Sequence, residues 1–147
     1  MAFDANTFLD SAINGPTSTE RILIEPADYS AFVADVKAAQ GFSEKNNAPW
    51  ARLDVVFEIE DEHQKERTGR NRLVLTYGIM LELDENGDIA EGRGKNVKLG
   101  KFRKALGKND GDFVPRELLH LFAKVKVGHE IYNNEPQEKI TAVSAAA

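Results

Sequence analysis

The sequence of 147 residues predicts a mainly β domain of five strands with a helical insert between the third and the fourth. Three observations predict it. Two neighbouring runs alternate apolar and polar residues at the period of a half-buried strand: Leu53, Val55, Phe57 and Ile59, then Leu73, Leu75, Tyr77, Ile79, Leu81 and Leu83. A C-terminal segment resumes the alternation on either side of a Tyr132-Asn133-Asn134-Glu135-Pro136 turn. Between these regions Leu99, Phe102, Ala105 and Leu106 recur at helical spacing.

Residues 1–20 end in the polar, turn-rich NGPTSTE and read as a flexible arm, with Phe3, Phe8, Leu9 and Ile13 on one weak helical face. The domain is expected over 21–143, with a tail at 144–147. Residues 21–40 fit two periods. Tyr29, Phe32, Val33 and Val36 match a helical face, whereas Ala27, Tyr29, Ala31 and Val33 match a strand face. Pro26 and the β-branched residues near it favour the strand. GFSEKNNAP (41–49) reads as a loop. The DEHQKERTGRN stretch (61–71) reads as a polar hairpin connection joining two antiparallel strands with one shared core face. Asn86-Gly87 marks a turn, and Gly107 is placed to end the helix. Pro115 suits the first position of a second short helix burying Leu118, Leu119 and Phe122. Val125 and Val127 then alternate with lysines, and Ile140 with Ala142 completes a C-terminal hairpin.

That element order matches the OB-fold, a small, partly open five-stranded barrel. Other five-stranded barrels and α+β sheets share it. In an OB-fold the ligand lies on strands two and three, between loops that fall here at roughly 41–49 and 130–137.

Charge is distributed unevenly. The chain carries a net −5, yet residues 92–109, GRGKNVKLGKFRKALGKN, carry seven cations and no acid, which leaves the other 129 residues at −12. Such segregation builds a local positive field suited to a polyanion. The cations are Arg93, Lys95, Lys98, Lys101, Arg103, Lys104 and Lys108. Spacings of three and four bring Lys98, Lys101, Lys104 and Lys108 toward one helical face. Lysines near a helix C-terminus also suit its dipole, by about 0.3–1 kcal/mol each. That accounts for some of them but not for the exclusion of acids, since mixed charges would have gained ion pairs.

If odd-numbered side chains of the central strands fill the core, the outward face carries Trp50, Arg52, Val56, Arg72, Val74, Thr76 and Met80. An aromatic ring beside guanidiniums and apolar groups suits base stacking with phosphate contact, at ~1–3 kcal/mol per stacked base. Asp54, Glu58 and Glu82 share the face and oppose it. Trp50, following Pro49, equally suits the mouth of a barrel. Arg67, Arg70 and Arg72 serve either phosphate or solvent. Tyr132 sits in the final loop, where a second base could stack, and Asn133 beside it suits the turn alone. The nucleic-acid-binding candidates are thus Trp50, Arg52, Arg70, Arg72, Arg93, Lys95, Lys98, Lys101, Arg103, Lys104 and Tyr132.

Zero cysteines exclude disulfides, thiolate metal sites and cysteine nucleophiles. His63, His120 and His129 lack metal-ligand spacing. DENGD (84–88) misplaces the glycine of a calcium loop and has Lys95 where the closing glutamate belongs. GRGKNVKLG is neither a P-loop nor a dinucleotide fingerprint. No catalytic residue, metal or cofactor is expected. No apolar run reaches the roughly 20 residues of a membrane span, and the N-terminus lacks the pattern of a signal peptide, so a soluble cytoplasmic protein is expected.

GKNVKLGKFRKALG, a short helix, and then AKVKVGHEIYNNEPQEKITAV together resemble a family of small bacteriophage proteins from replication and recombination modules. The family was long catalogued as domains of unknown function, and its members look like OB-fold single-stranded DNA-binding proteins. The resemblance covers roughly residues 50–143. It implies protection of single-stranded DNA during phage DNA replication or recombination, without a cofactor, in the host cytoplasm. Phage replication or recombination proteins are the implied partners; a homo-oligomer, through Val56, Val74 and Met80, is a separate expectation. Many such proteins end in an acidic recruiting tail, whereas this chain ends VSAAA. The other classes considered are a virion or replisome interaction protein, using the same sheet face for oligomer or partner contact, and an accessory domain of a nuclease or recombinase.

Overall fold

The computed structural model describes residues 2–146. In chain order they form α1 (Ala5–Leu9), β1 (Ala27–Ser43), β2 (Ala48–Ile59), α2 (Glu62–Thr68) and β3 (Leu73–Leu81). Next come α3 (Val97–Ala105), a 3-10 turn (Pro115–Leu118), β4 (Phe122–Tyr132) and β5 (Glu135–Ala145). The strands make one antiparallel sheet in the order β3-β2-β1-β4-β5. The chain is mainly β, as its alternation requires.

The two central strands follow their period. Leu53, Val55, Phe57, Ile59, Leu73 and Ile79 are all buried, and the register sets Leu53 opposite Ile79 and Phe57 opposite Leu75. The shared core face continues through Ala31, Val33, Val125 and Val127 of the neighbouring strands. Ile24, just ahead of β1, is fully buried with them.

β1 is extended, and its ambiguity in sequence has a structural cause. It pairs with β4 over residues 27–32 and with β2 over residues 31–43, with a bulge between Val33 and Asp35. A bulge adds one residue and resets which side chains point inward. Val33 therefore packs into the core and Val36, three residues on, packs against it, a spacing that imitates a helix. The expected loop at 41–49 is mostly strand. Gly41 pairs with Trp50, Phe42 with Pro49 and Ser43 with Ala48, leaving a tight turn in which Asn47 takes a φ of 49°.

The expected hairpin connection at 61–71 instead contains α2. Asp61 accepts a hydrogen bond from the Gln64 N–H at 2.9 Å, and Gly69 ends the helix in the left-handed region at φ 73°. Its buried residue is the polar Gln64, which donates to Glu25 Oε1 at 2.8 Å and accepts from the Glu25 N–H at 3.1 Å. A helix that buries an amide leaves no apolar period to read.

α3 ends near Gly107, at φ 72°. Its Phe102 ring is buried, 6.2 Å from Phe57 and 5.7 Å from Tyr77 between centroids. The turn from Pro115 buries Leu118 as expected, but Phe122 is exposed, opening β4 with its ring 6.1 Å from Phe32. On β5 Ile140 is buried and Ala142 exposed, because a second bulge sets Val127 against Ile140 and Lys126 against Ala142. The β4–β5 turn consists of Asn133 and Asn134, both at positive φ.

Candidate nucleic-acid interface

The even-numbered side chains of β2 and β3 face away from the core, and the site candidates on these strands lie among them. Trp50 is half-buried on this face. A Cβ at Gly41 would lie 2.7 Å from its indole, so the ring lies across the backbone of that glycine. Covering a strand glycine with an aromatic is a recurrent device of β sheets. The Arg52 guanidinium stands 5.6 Å from the Trp50 ring centroid and pairs with Asp54 through Nε at 2.7 Å and a second nitrogen at 3.1 Å. Ser43, Asn46, Trp50, Arg52 and Met80 line a shallow cleft at the β1–β2 turn.

From Arg52 a chain of contacts leads to α3, which packs through Phe102 on the core-facing side of β2 and β3. A Cβ at Gly78 would lie 3.3 Å from Arg52 Cδ, so the arginine stem runs close over that glycine. The Gly78 carbonyl accepts from Lys98 Nζ at 2.9 Å, and the same ammonium stands 4.7 Å from the Tyr77 ring centroid. Contacts therefore link Trp50 to Arg52, Arg52 to Gly78 and Gly78 to Lys98. Lys101 and Lys104 follow on α3, both exposed. Asn96 fixes the start of the helix through four hydrogen bonds: its N–H donates to Glu82 Oε2, its amide donates to the Glu82 and Ala90 carbonyls, and its Oδ1 accepts from the Glu82 N–H.

The three opposing acids are already engaged. Asp54 binds Arg52, Glu58 accepts two bonds from Arg72 at 2.8 and 2.5 Å, and Glu82 accepts from the Asn96 N–H. Pairing offsets the repulsion of Asp54 and Glu58 and also spends the charge of Arg52 and Arg72, whereas Glu82, bound only to a neutral N–H, keeps its charge. Among the described residues, none of the seven cations of 92–109 lies in a salt bridge. The uncompensated positive field therefore belongs to α3 and the segment before it.

Two candidates have structural partners instead. Arg70 pairs with Glu138, whose side chain is only 3% exposed, and donates to the Ile22 carbonyl at 2.7 Å. Arg103 donates to the Lys108 and Gly111 carbonyls at 2.9 and 2.8 Å and covers the Phe113 ring at 4.5 Å. Both arginines hold segments together. Arg93 and Lys95 are exposed ahead of α3. Tyr132 is 59% exposed at the β4–β5 turn. That turn borders Val74 across a cleft, at the opposite end of β3 from Met80, so the rings of Tyr132 and Trp50 belong to opposite ends of the face. Sequence reading missed Gly41 and Gly78, although a glycine inside a strand pattern marks a close approach. It also missed Asn96, whose φ of 50° leaves no trace in composition.

Among the described residues no group of His, Asp and Glu could hold a metal ion, and no helix is long and apolar enough to cross a membrane. The arrangement offers one half-buried aromatic ring beside a shallow cleft, and a helix whose ammonium groups lie outside every salt bridge among the described residues. No protein-family model matches this chain, and a search of curated proteins returns no match.

Proposed function

We propose that the protein binds single-stranded DNA with little sequence preference, in phage DNA replication or recombination, and that its sheet closes as an OB-fold-like barrel. The element order, the strand order and the approach of β3 to β5 support the barrel reading. One observation carries the function: the half-buried indole is linked through Arg52 and Gly78 to the acid-free helix, whose Lys98 reaches the Gly78 carbonyl on the end strand β3. A strand crossing β2 and β3 then stacks a base on Trp50 while Lys98, Lys101 and Lys104 neutralise phosphates. Arg93 and Lys95 extend the phosphate track, and Tyr132 offers a second ring at the far end of the face. Apolar Val74 and Met80, exposed on the same face, favour the second reading, a virion or replisome interaction protein that buries them against a partner.

Titration with an unlabelled homopolymer, followed by the emission of the single tryptophan, tests the proposal. With about five phosphates neutralised, log affinity falls with log salt at a slope of roughly −3.5. Reversing Lys98, Lys101 and Lys104 to Glu leaves about two contacts, weakens binding to all sequences and reduces the slope to roughly −1.4. An absence of quenching at low salt, or affinity independent of salt, refutes the proposal.

A further inference from the structure

Residues 2–20 contain Phe3, Phe8, Leu9 and Ile13, which stay between 44% and 80% exposed. Their segment is nonetheless shaped. Asp4 Oδ1 accepts from the Asn6 and Thr7 N–H groups at 3.0 Å, Ser11 Oγ donates to the Thr7 carbonyl at 2.7 Å, and the Phe3 and Phe8 centroids are 5.2 Å apart. Every hydrogen bond of residues 2–20 stays within the arm, among the described residues. This is an apolar knob capped by its own chain, on a polar tether, that buries nothing in its own domain. Its charged groups are Asp4, Asp10 and Glu20, with no lysine or arginine before Arg21.

A cavity of about 730 Å³ opens where β1, β2 and β3 meet α3. Its apolar lining comes from Val36, Leu53, Leu81, Leu99 and Phe113. Its charged groups are Lys37, Arg103 and Arg116 against Glu91 and Asp112, and the α3 wall belongs to the acid-free segment. That volume suits an apolar side-chain pair with flanking acids. Within one chain both surfaces are left uncovered; the cavity lining carries one more cation than acids, and the arm's charged side chains are all acidic.

We propose that the arm of one copy seats its Phe3–Phe8 pair in this cavity of the next, so that the protein associates head to tail. Such a contact joins two different patches, and repetition builds an open chain of copies unless the rotation closes a ring. It is independent of nucleic-acid binding.

Sedimentation of the full-length protein over a concentration series, without nucleic acid, tests this directly. Wild type associates with rising concentration. A Phe3→Ser/Phe8→Ser variant and a Lys37→Glu/Arg116→Glu variant, all at exposed positions, each associate about a hundredfold more weakly. Mixing the two variants restores association but stops at the dimer, because each pair of chains has one intact knob facing one intact cavity. Monomeric wild type at every concentration, or a mixture that stays monomeric, overturns the proposal. Docking of the arm on its own cavity gives the first of these results, and a symmetric contact between like patches leaves one of the two variants associating as wild type, which equally overturns it.

Discussion

Gly41 and Trp50 face each other across the β1–β2 ladder, and the close fit between them makes the indole a sensitive reporter. A Gly41→Val substitution forces the ring off the sheet. The expected result is a red-shifted emission and about tenfold weaker binding to single-stranded DNA, within the range of one stacked base. Because the ring can swing into solvent, the melting temperature changes little. Asp54 offers a gain instead of a loss. Replacing it with Asn releases the Arg52 guanidinium, so the salt slope should steepen by about 0.7 and affinity at low salt should rise. A slope unchanged from wild type means that Arg52 never meets phosphate. Glu138 ties acid stability to one site. Burial pushes its carboxyl up, but the hydrogen bond from Arg70, the Ile24 N–H and the charges of Arg70 and Arg21 outweigh burial and hold it below the ordinary 4.5. A folded value below the unfolded one stabilises the protein fully above 4.5, and that contribution is lost as pH falls through the lowered value. Denaturation midpoints from pH 7 to 3 should therefore decline less steeply below pH 4.5 in Glu138→Gln than in wild type, from a lower starting point. Arg70→Ala leaves the buried carboxylate with only the Ile24 N–H and the more distant Arg21, and should lower stability by less than the ~3–5 kcal/mol of a wholly unpaired buried charge.

α3 is anchored to the sheet by Phe102 between Phe57 and Tyr77. Phe102→Ala should cost about 3–5 kcal/mol in chemical denaturation and weaken DNA binding as well, because the lysines lose their register with Trp50. Retained affinity in a folded variant would place the interface elsewhere. The elements differ in how plainly they could be read. β2, β3, α3 and the C-terminal hairpin were legible because each buries one apolar face at a regular period. α2 was missed because its inward residue is Gln64, although Asp61 and Gly69 carried its start and stop signals. The bulge in β1 merged two strand registers into an apparent helical period. At the site, Trp50, Arg52 and the lysine row were legible from charge and alternation. The engagement of Arg70 with Glu138 was not, because that contact joins residues 68 apart in sequence.

Across the whole molecule, charge and burial are partitioned rather than blended: one surface is left cationic inside an acidic chain, and one paired carboxylate fixes the N-terminal segment to β5. β1 adds a mechanical asymmetry. Beyond the bulge it keeps neighbours on one side only, while its first half is bound to β4. β2 pairs with β3 as far as Ala51, so residues 41–43 and 48–50 alone form a two-stranded ribbon, with Trp50 at its base. Amides of residues 41–43 should exchange with solvent faster than those of residues 29–33. The indole can then follow the contour of a flexible guest by bending the ribbon, without disturbing the hydrocarbon interior that sets the stability of the domain.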